Sequence, residues 1–420
     1  MKSSLAGGIA LTALGLCLCA ASGAQDLVVT NARIVDGAGG VIESGTVVID
    51  DGVITSVDAG SASLAGAIVI DAEGRTVMPG FIDAHRHLGG GAPNWLDEAP
   101  AAMQAWLDAG FTTILDALAV GPMMGQYGEL RQRIESGEIA GPRLKLSGMV
   151  PVNQTAMPQG VSDPARADPA RIPLGERAPV DATPPEQARA MVDAFAAQGA
   201  DNIKIILVAS PKGDDVATLR AIADQAHMHG MRMITHTTSV ADALEAAEGG
   251  TDYFAHTPHI GWVDDGDAAR RLVATGAPMV STLGVFTPYY GSEGDGLFRD
   301  FGEFPFDATL HSAGQGPVNL RLLADAGMTV CYGTDTSFSP SESLRHEITA
   351  LVSVFSPADI VKMLTGNAAV CTGDADVTGT LAVGKAGDLV IVEGDPLTDI
   401  FAVLDVVLVA KGGEVVSDRR

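Results

Sequence analysis

Apolar and polar positions divide the chain into two β-rich ends and a middle with a different pattern. Short β-type runs separated by Gly and Asp turns fill residues 26–80. The same pattern returns near the C-terminus in GTLAVGKAGDLVIVEGDP and VVLVAKGGEVV. Two such ends around a different middle predict one small β-sandwich built from both termini. We assign residues 25–80 and 376–420 to this composite domain.

The middle of the chain alternates between strand-like and helical patterns. Stretches such as PPEQARAMVDAFAAQG and DVATLRAIADQAHMHG carry apolar residues at helical spacing and end at glycine. A strand that carries His85 is followed by seven further apolar runs, at 112–117, 143–147, 202–207, 231–235, 252–255, 278–281 and 329–332. Eight strands with helices between them predict the α/β class, as a (β/α)8 TIM-type barrel over residues 81–375.

Two segments interrupt this alternation. Residues 151–183 are rich in Pro, Ala, Asp and Arg, and residues 284–317 are rich in Gly, Phe and Tyr. Both are long for ordinary connections, and the barrel places such loops on the face where active sites lie. A lid or substrate pocket is one interpretation and a flexible insertion is the other. Tyr289 and Tyr290 fall in the second segment and are candidates for substrate contact, although they could equally pack that loop onto the barrel.

The composition excludes one class of partner. Hydrophobic residues make up 46% of the chain and charged residues 19%, which is ordinary for a globular protein. The 52 acidic and 26 basic residues leave a formal charge of −26. Nucleic-acid binding requires a basic surface, so we expect no nucleic-acid partner. The charge balance bears on solubility more than on a small-molecule substrate, and association into a homo-oligomer stays open.

The N-terminus has the pattern of an export signal. Lys2 precedes the apolar stretch LAGGIALTALGLCLCA, and the small residues SGA stand before Gln25. A membrane anchor is the alternative, but the uncharged run is short for a full span. We therefore predict a signal peptide over residues 1–24 and a periplasmic or secreted mature chain without a membrane anchor. Cys331 and Cys371 remain in that chain, and the sequence leaves open a disulfide or two buried thiols.

Four histidines, a lysine and an aspartate lie at or near the ends of predicted strands. They are His85 and His87 on the first strand, Lys204 on the fourth, His236 on the fifth, His256 on the sixth and Asp335 on the eighth. Alternate residues of a strand point the same way, so the first two imidazoles emerge side by side. Each residue alone has an ordinary structural explanation, but a barrel gathers its catalytic groups at these strand ends. The constellation predicts a metal site, with zinc as the default and manganese or cobalt as fitting alternatives.

These motifs closely resemble the amidohydrolase superfamily. The matching segments are PGFIDAHRH, NIKI, ITH, AHT, GTD and the closing GTLAVGKAGDLVIVEGDPL, which together span most of the chain. Within the superfamily the chain resembles the imidazolonepropionase-like branch, which includes exported dipeptidases that act on Xaa-Pro or Xaa-basic dipeptides. One departure concerns the segment after Lys204, where those dipeptidases often carry glycines and this chain has LVASPKGDD.

The resemblance implies two divalent metal ions and a role for each residue. The more buried ion would be held by His85, His87 and Asp335, the more exposed one by His236 and His256, and both would be bridged by a carbamylated (N6-carboxylated) Lys204. An unmodified ammonium has only donors and could not bridge cations. A hydroxide between the metals would attack the amide carbonyl, with Asp335 as catalytic acid and base.

The function implied is hydrolysis of an amide bond in a dipeptide or an N-acyl amino acid. Hydrolysis of a cyclic amide, lactone or phosphoester on the same site is the main alternative. A deaminase-type centre with one metal is a further alternative, and Lys204 in the bridging position counts against it. A non-catalytic binding barrel is another, and the presence of the full ligand set counts against it. His259 is a candidate for contact with the substrate or for a hydrogen bond to a metal ligand. The alternative is that it is a solvated loop residue. Arg86 should point away from the metals by strand alternation.

Overall fold

The structure is a computed structural model that describes residues 26–60, 62, 64–153, 173–263, 266–286, 306–336 and 338–420, without the side chains of residues 306–314. In these ranges, no helix has the length and apolar content to cross a membrane.

Sixteen strands form two sheets in the described residues. In chain order they are β1 Leu27–Val35, β2 Val41–Asp50, β3 Val53–Ala59, β4 Ile68–Asp71, β5 Thr76–Pro79, β6 Phe81–Arg86, β7 Phe111–Ala119, β8 Arg143–Met149, β9 Asn202–Ile206, β10 Arg232–His236, β11 Tyr253–Phe254, β12 Met279–Val280, β13 Val330–Cys331, β14 Leu389–Val392, β15 Val406–Lys411 and β16 Glu414–Asp418.

The first sheet joins the two ends of the chain. Its order is β16-β15-β14-β5-β1-β2-β3, with β4 beside β1. Antiparallel pairing of β14 with β5, in the register Val390 opposite Met78, connects the C-terminal strands to the N-terminal ones. The sheet has its own apolar core, to which both ends contribute, for example Leu27 and Leu408. This confirms the prediction of a small β-domain formed from both termini.

The second sheet is a parallel barrel in the order β13-β12-β11-β10-β9-β8-β7-β6. Its last seam is closed by backbone hydrogen bonds between β6 and the segment after β13. The amide of Ala84 donates to the carbonyl of Tyr332 at 3.1 Å, and the amide of Asp335 donates to the carbonyl of His85 at 2.9 Å. The eight predicted strands are therefore present, and the (β/α)8 fold class is confirmed.

Eleven α-helices connect and cover these strands in the described residues. They are α1 Trp95–Asp108, α2 Met123–Glu135, α3 Pro185–Ala197, α4 Asp215–Met228, α5 Val240–Glu248, α6 Asp267–Val273, α7 Leu283–Phe286, α8 Phe306–Asp325, α9 Pro340–Leu351, α10 Pro357–Lys362 and α11 Ala368–Thr372. The segment 284–317 is therefore not wholly a loop, since α8 begins inside it. Pro317 and the glycines within α8 disguise the helical pattern in the sequence.

A disulfide joins Cys331 at the end of β13 to Cys371 in α11, with a Cα–Cα distance of 6.3 Å. Both residues belong to a buried apolar cluster that also contains Ile82, Leu115 and Ile234 from other barrel strands. The bridge therefore ties the strand that leads to Asp335 to a helix packed against the barrel core. Of the two alternatives left open by the sequence, the structure has the disulfide.

Candidate metal centre

Strand β6 and the residue directly after it carry the first two histidines to the carboxyl end of the barrel. His85 is fully buried, whereas the side chain of His87 is 36% exposed. The His85 Nδ1 lies 3.0 Å from the carbonyl oxygen of Ala255, an acceptor that requires a proton on Nδ1. The lone pair of His85 is then on Nε2, the atom that would bind a metal ion, because the other ring nitrogen carries the proton.

Strands β9, β10 and β11 bring three more of the predicted side chains to the same place. The Lys204 Nζ lies 3.2 Å from the His85 Nε2 and is deeply buried. The rings of His236 and His256 have centroids 4.2 Å apart, and the rings of His256 and His85 have centroids 4.5 Å apart. The parallel strands thus converge on one cluster of imidazoles around a lysine.

Asp335 completes the cluster from the segment after β13. Its backbone has φ of +49°, a left-handed conformation that Asp tolerates better than most residues. Its Oδ1 lies 2.7 Å from the His87 Nε2 and 3.6 Å from the His85 Nε2. Its Oδ2 lies 3.8 Å from the His256 Nε2. One carboxylate therefore faces three of the four histidines.

Burial and neighbouring charges set the protonation of these groups. Burial, with a further contribution from Lys204, lowers the pKa of His236 to about 3 and holds that of His85 well below its usual range. Burial also lowers the pKa of Lys204 to about 8. Burial alone would raise the pKa of Asp335, but His85 and His87 lower it below its usual range. At neutral pH His85 and His236 are thus neutral and Asp335 is ionised, which are the metal-binding forms of these groups.

The donor set fits a metal ion. His85, His256 and Asp335 each offer one ligand atom, and these atoms all lie within 4.8 Å of one another. The Nδ1 of His256 lies 2.8 Å from the Thr282 hydroxyl, which leaves its Nε2 toward Asp335. Imidazole nitrogens with such partners and a carboxylate oxygen suit zinc or a similar divalent ion.

The structure brings all six predicted ligands together, and their assignment to individual metal ions stays a prediction. His259 is buried close enough to His236 to lower its pKa, whereas its predicted contact with substrate is untested. Tyr289 and Tyr290 lie outside the described residues. Arg86 points away as expected, because its guanidinium donates to the Thr336 and Ser343 hydroxyls at 3.0 Å each.

Two buried carboxylates support the site, and the sequence did not single them out. Asp83 accepts hydrogen bonds from the His85 amide at 3.0 Å and from the Thr334 hydroxyl at 2.7 Å. Asp116 accepts from the amide of Leu88 at 2.7 Å, directly after His87. Burial raises the pKa of each carboxyl to about 6. Asp83 lies within the motif GFIDAH, so its position two residues before His85 was the available signal.

Comparison with known proteins identifies the family of this site. The sequence model of the amidohydrolase family matches residues 76–416, which is most of the chain. The chain belongs to the amidohydrolase family. An ochratoxinase from Aspergillus niger is 25% identical to this amidohydrolase over 363 residues, covering 77% of this chain and 71% of the relative.

Solved structures agree with this family. A prolidase in complex with N-methylphosphonate-L-proline is 26% identical with a TM-score of 0.72, and the match covers 94% of this chain and 100% of that chain. An Xaa-Pro dipeptidase with bound methionine in the active site is 23% identical with a TM-score of 0.73, and the match covers 93% of this chain and 99% of that chain. This likeness supports the fold. The resemblance inferred from the motifs is confirmed, and this amidohydrolase is a hydrolase that acts on C–N bonds.

The low pKa of His236 makes a prediction for the metal-free protein. At pH 5 an ordinary histidine, with pKa near 6.5, is mostly protonated, whereas we expect the His236 ring to stay neutral until the pH approaches about 3. NMR spectra of ring-labelled histidine, recorded from pH 7 to pH 4, measure this directly. A histidine-containing peptide under the same conditions is the control. Protonation of His236 near pH 6.5 would contradict the electrostatic account.

Proposed function

We propose that this chain is an exported binuclear metal-dependent amidohydrolase that cleaves an amide bond of a dipeptide or an N-acyl amino acid. The observation that carries the proposal is the convergence of four histidines, a buried lysine and Asp335 at the carboxyl end of the barrel. Supporting the reaction class are the amidohydrolase family match and the relatives named as an ochratoxinase and a prolidase.

The proposed ligand assignment uses every member of the cluster. His85, His87 and Asp335 would hold one ion, His236 and His256 the other, and an N6-carboxylated Lys204 would bridge them. In support, the Asp335 Oδ1 faces both His85 and His87, and the rings of His236 and His256 adjoin. Two bound divalent ions, zinc by default, would polarise a carbonyl oxygen and lower the pKa of water.

Lys204 has the surroundings that carboxylation requires. Within the described residues, the only hydrogen bond of its Nζ is with His85, and a pKa of about 8 leaves part of the amine unprotonated near neutral pH. The neutral amine can add to carbon dioxide, forming an N–C bond and releasing one proton. The product is an anionic carboxylate at the end of the side chain, which replaces a cation that cannot bind metals.

Asp335 is suited to move the proton during hydrolysis. Its Oδ1 lies 2.7 Å from the His87 Nε2, whereas its Oδ2 lies farther from a histidine, 3.8 Å from the His256 Nε2. The lowered pKa keeps the carboxylate ionised as a base before the reaction. We propose that Oδ2 accepts a proton from the attacking water and delivers it to the leaving nitrogen of the amide.

Two relatives support an amino-acid derivative as the substrate. One solved neighbour is a prolidase bound to N-methylphosphonate-L-proline, and another is an Xaa-Pro dipeptidase with bound methionine. Both ligands contain an amino acid, so a dipeptide or an N-acyl amino acid is the substrate class that we propose for this chain.

Metal content tests the binuclear assignment. After reconstitution with zinc and bicarbonate, we expect about two metal ions per chain by elemental analysis. Lys204→Ala removes the proposed bridge and should leave at most one ion. Lys212→Ala, which changes an exposed lysine, is the matched control and should retain two. One ion per chain that is insensitive to Lys204→Ala would contradict two bridged metals.

The substrate class is tested with a mixed panel of dipeptides and N-acyl amino acids. We expect release of free amine by the zinc-loaded protein without residues 1–24, and a decrease of at least about 10²-fold in Asp335→Ala, because proton transfer is lost. Mass spectrometry of the reaction mixture identifies the products. If the metals bind but the whole panel stays intact, the amide proposal fails, and cyclic amides, lactones and phosphoesters are tested next.

Export is the third part of the proposal. Besides the apolar N-terminal stretch, the disulfide between Cys331 and Cys371 supports an oxidising compartment. We expect the full-length chain, expressed in a bacterium, to appear in the periplasm or medium with Gln25 as its first residue. Protein in the cytoplasmic fraction that retains Met1 would contradict export. N-terminal sequencing of each fraction makes the distinction.

A further inference from the structure

The turn after β12 holds a threonine in a strained backbone conformation. Thr282 has φ of +40°, which is unfavourable for a β-branched residue. Its amide donates to the carbonyl of Gly333 at 3.2 Å, and the residue is fully buried. Such strain persists only where the surrounding structure imposes it, and it often accompanies function.

The Thr282 side chain reaches one of the proposed metal ligands. Its Oγ1 lies 2.8 Å from the His256 Nδ1, and both side chains are buried. A hydroxyl at this position can accept the Nδ1 proton, which places the lone pair of the imidazole on Nε2. That Nε2 lies on the side of Asp335, 3.8 Å from its Oδ2. The strained conformation therefore places a hydroxyl within hydrogen-bond distance of the His256 Nδ1, where it can accept the Nδ1 proton and leave the Nε2 lone pair on the side of Asp335.

Glu347, a buried carboxylate on α9, holds this turn in place. Its Oε1 accepts a hydrogen bond from the Leu283 amide at 2.9 Å, and its Oε2 accepts one from the Gly284 amide at 2.7 Å. The turn and α9 pack closely at Gly284, because a Cβ added there would lie 2.6 Å from the His346 Nδ1 and 3.1 Å from the Glu347 Oε2. These two hydrogen bonds tie the amides that directly follow Thr282 to α9.

We propose that Thr282 and Glu347 are positioning residues for His256. Glu347 fixes the turn, the turn fixes the Thr282 hydroxyl, and the hydroxyl orients the imidazole with its Nε2 toward the metal. The inference rests on the proposed function only in taking His256 as a metal ligand. Hydrogen-bond partners that orient a ligating histidine commonly change metal affinity by about 10–100-fold when they are removed.

Substitutions at Thr282 separate the hydroxyl from the shape of the side chain. We expect Thr282→Val to weaken zinc binding by about 10–100-fold in competition with a chelator, and Thr282→Ser to stay within about threefold of the wild type. Thr282→Gly adopts a positive φ without strain, so it should fold stably and still bind as weakly as the valine variant. Thr251→Val removes another buried hydroxyl of the barrel and is the matched control. Equal affinity in the valine variant and the wild type would overturn the proposal.

A double-mutant cycle tests whether Glu347 acts through Thr282. Glu347→Gln replaces one acceptor oxygen with an amide donor that faces a backbone N–H, and we expect about a 10-fold loss of zinc affinity. In the Thr282→Val background the same change should cost less than about threefold, because the hydroxyl that it positions is already absent. Additive losses, together with an unchanged His256 signal, would overturn the proposed chain of contacts.

The histidine ring spectrum of the metal-free protein gives a second measurement. We expect His256 to carry its proton on Nδ1 in the wild type and to lose this single tautomer in Thr282→Val. This distinguishes two failures. If the wild type binds no zinc while the tautomer depends on Thr282, the metal proposal fails and the positioning role stands. If zinc binds and the tautomer of His256 is the same in the wild type, Thr282→Val and Glu347→Gln, only the positioning role fails.

Discussion

Three hydrogen bonds across one seam of the barrel decide where the reactive groups lie. The carbonyl of His85 accepts from the amides of Thr334 and Asp335, and Asp83 accepts from the Thr334 hydroxyl. These contacts help to close the parallel sheet and fix the backbone of Asp335, which has the left-handed φ of +49°. Its carboxylate is then held against the histidines of the first strand, so the same bonds that complete the fold also assemble the site.

Burial gives the cluster its chemical character. Removal from water penalises the charged form of histidine and lysine, so the imidazoles stay neutral and Lys204 is a weaker base than usual. Burial would raise the pKa of Asp335, but the neighbouring imidazoles of His85 and His87 keep it below its usual range. The result is a set of imidazole donors and an ionised carboxylate inside an apolar barrel, beside a lysine whose pKa of about 8 leaves part of its amine neutral near neutral pH. A cation is the natural counterpart of such a set, which is why the amidohydrolase family match and the geometry lead to the same proposal.

The sequence was informative where the structure repeats and where chemistry marks the ends of strands. The alternation of apolar runs with helical patterns that end at glycine predicted the barrel strands. The positions of His85, His236, His256 and Asp335 at the ends of those strands predicted the cluster. Contacts between distant segments left no such pattern. The partner of Cys331 lies 40 residues away, and the role of Glu347 depends on how α9 packs against the turn after β12. Thr282 gave no signal either, since its strained backbone is imposed by its surroundings.

The central claim is that these six side chains form one centre with two metal ions bridged by a carboxylated lysine. The most direct measurement is a crystal structure of the zinc-loaded protein, with anomalous diffraction recorded on both sides of the zinc absorption edge. The account predicts two anomalous peaks among His85, His87, His236, His256 and Asp335, with density that extends beyond the Lys204 Nζ between them. A single peak, peaks elsewhere in the molecule, or an unmodified Lys204 side chain would contradict it.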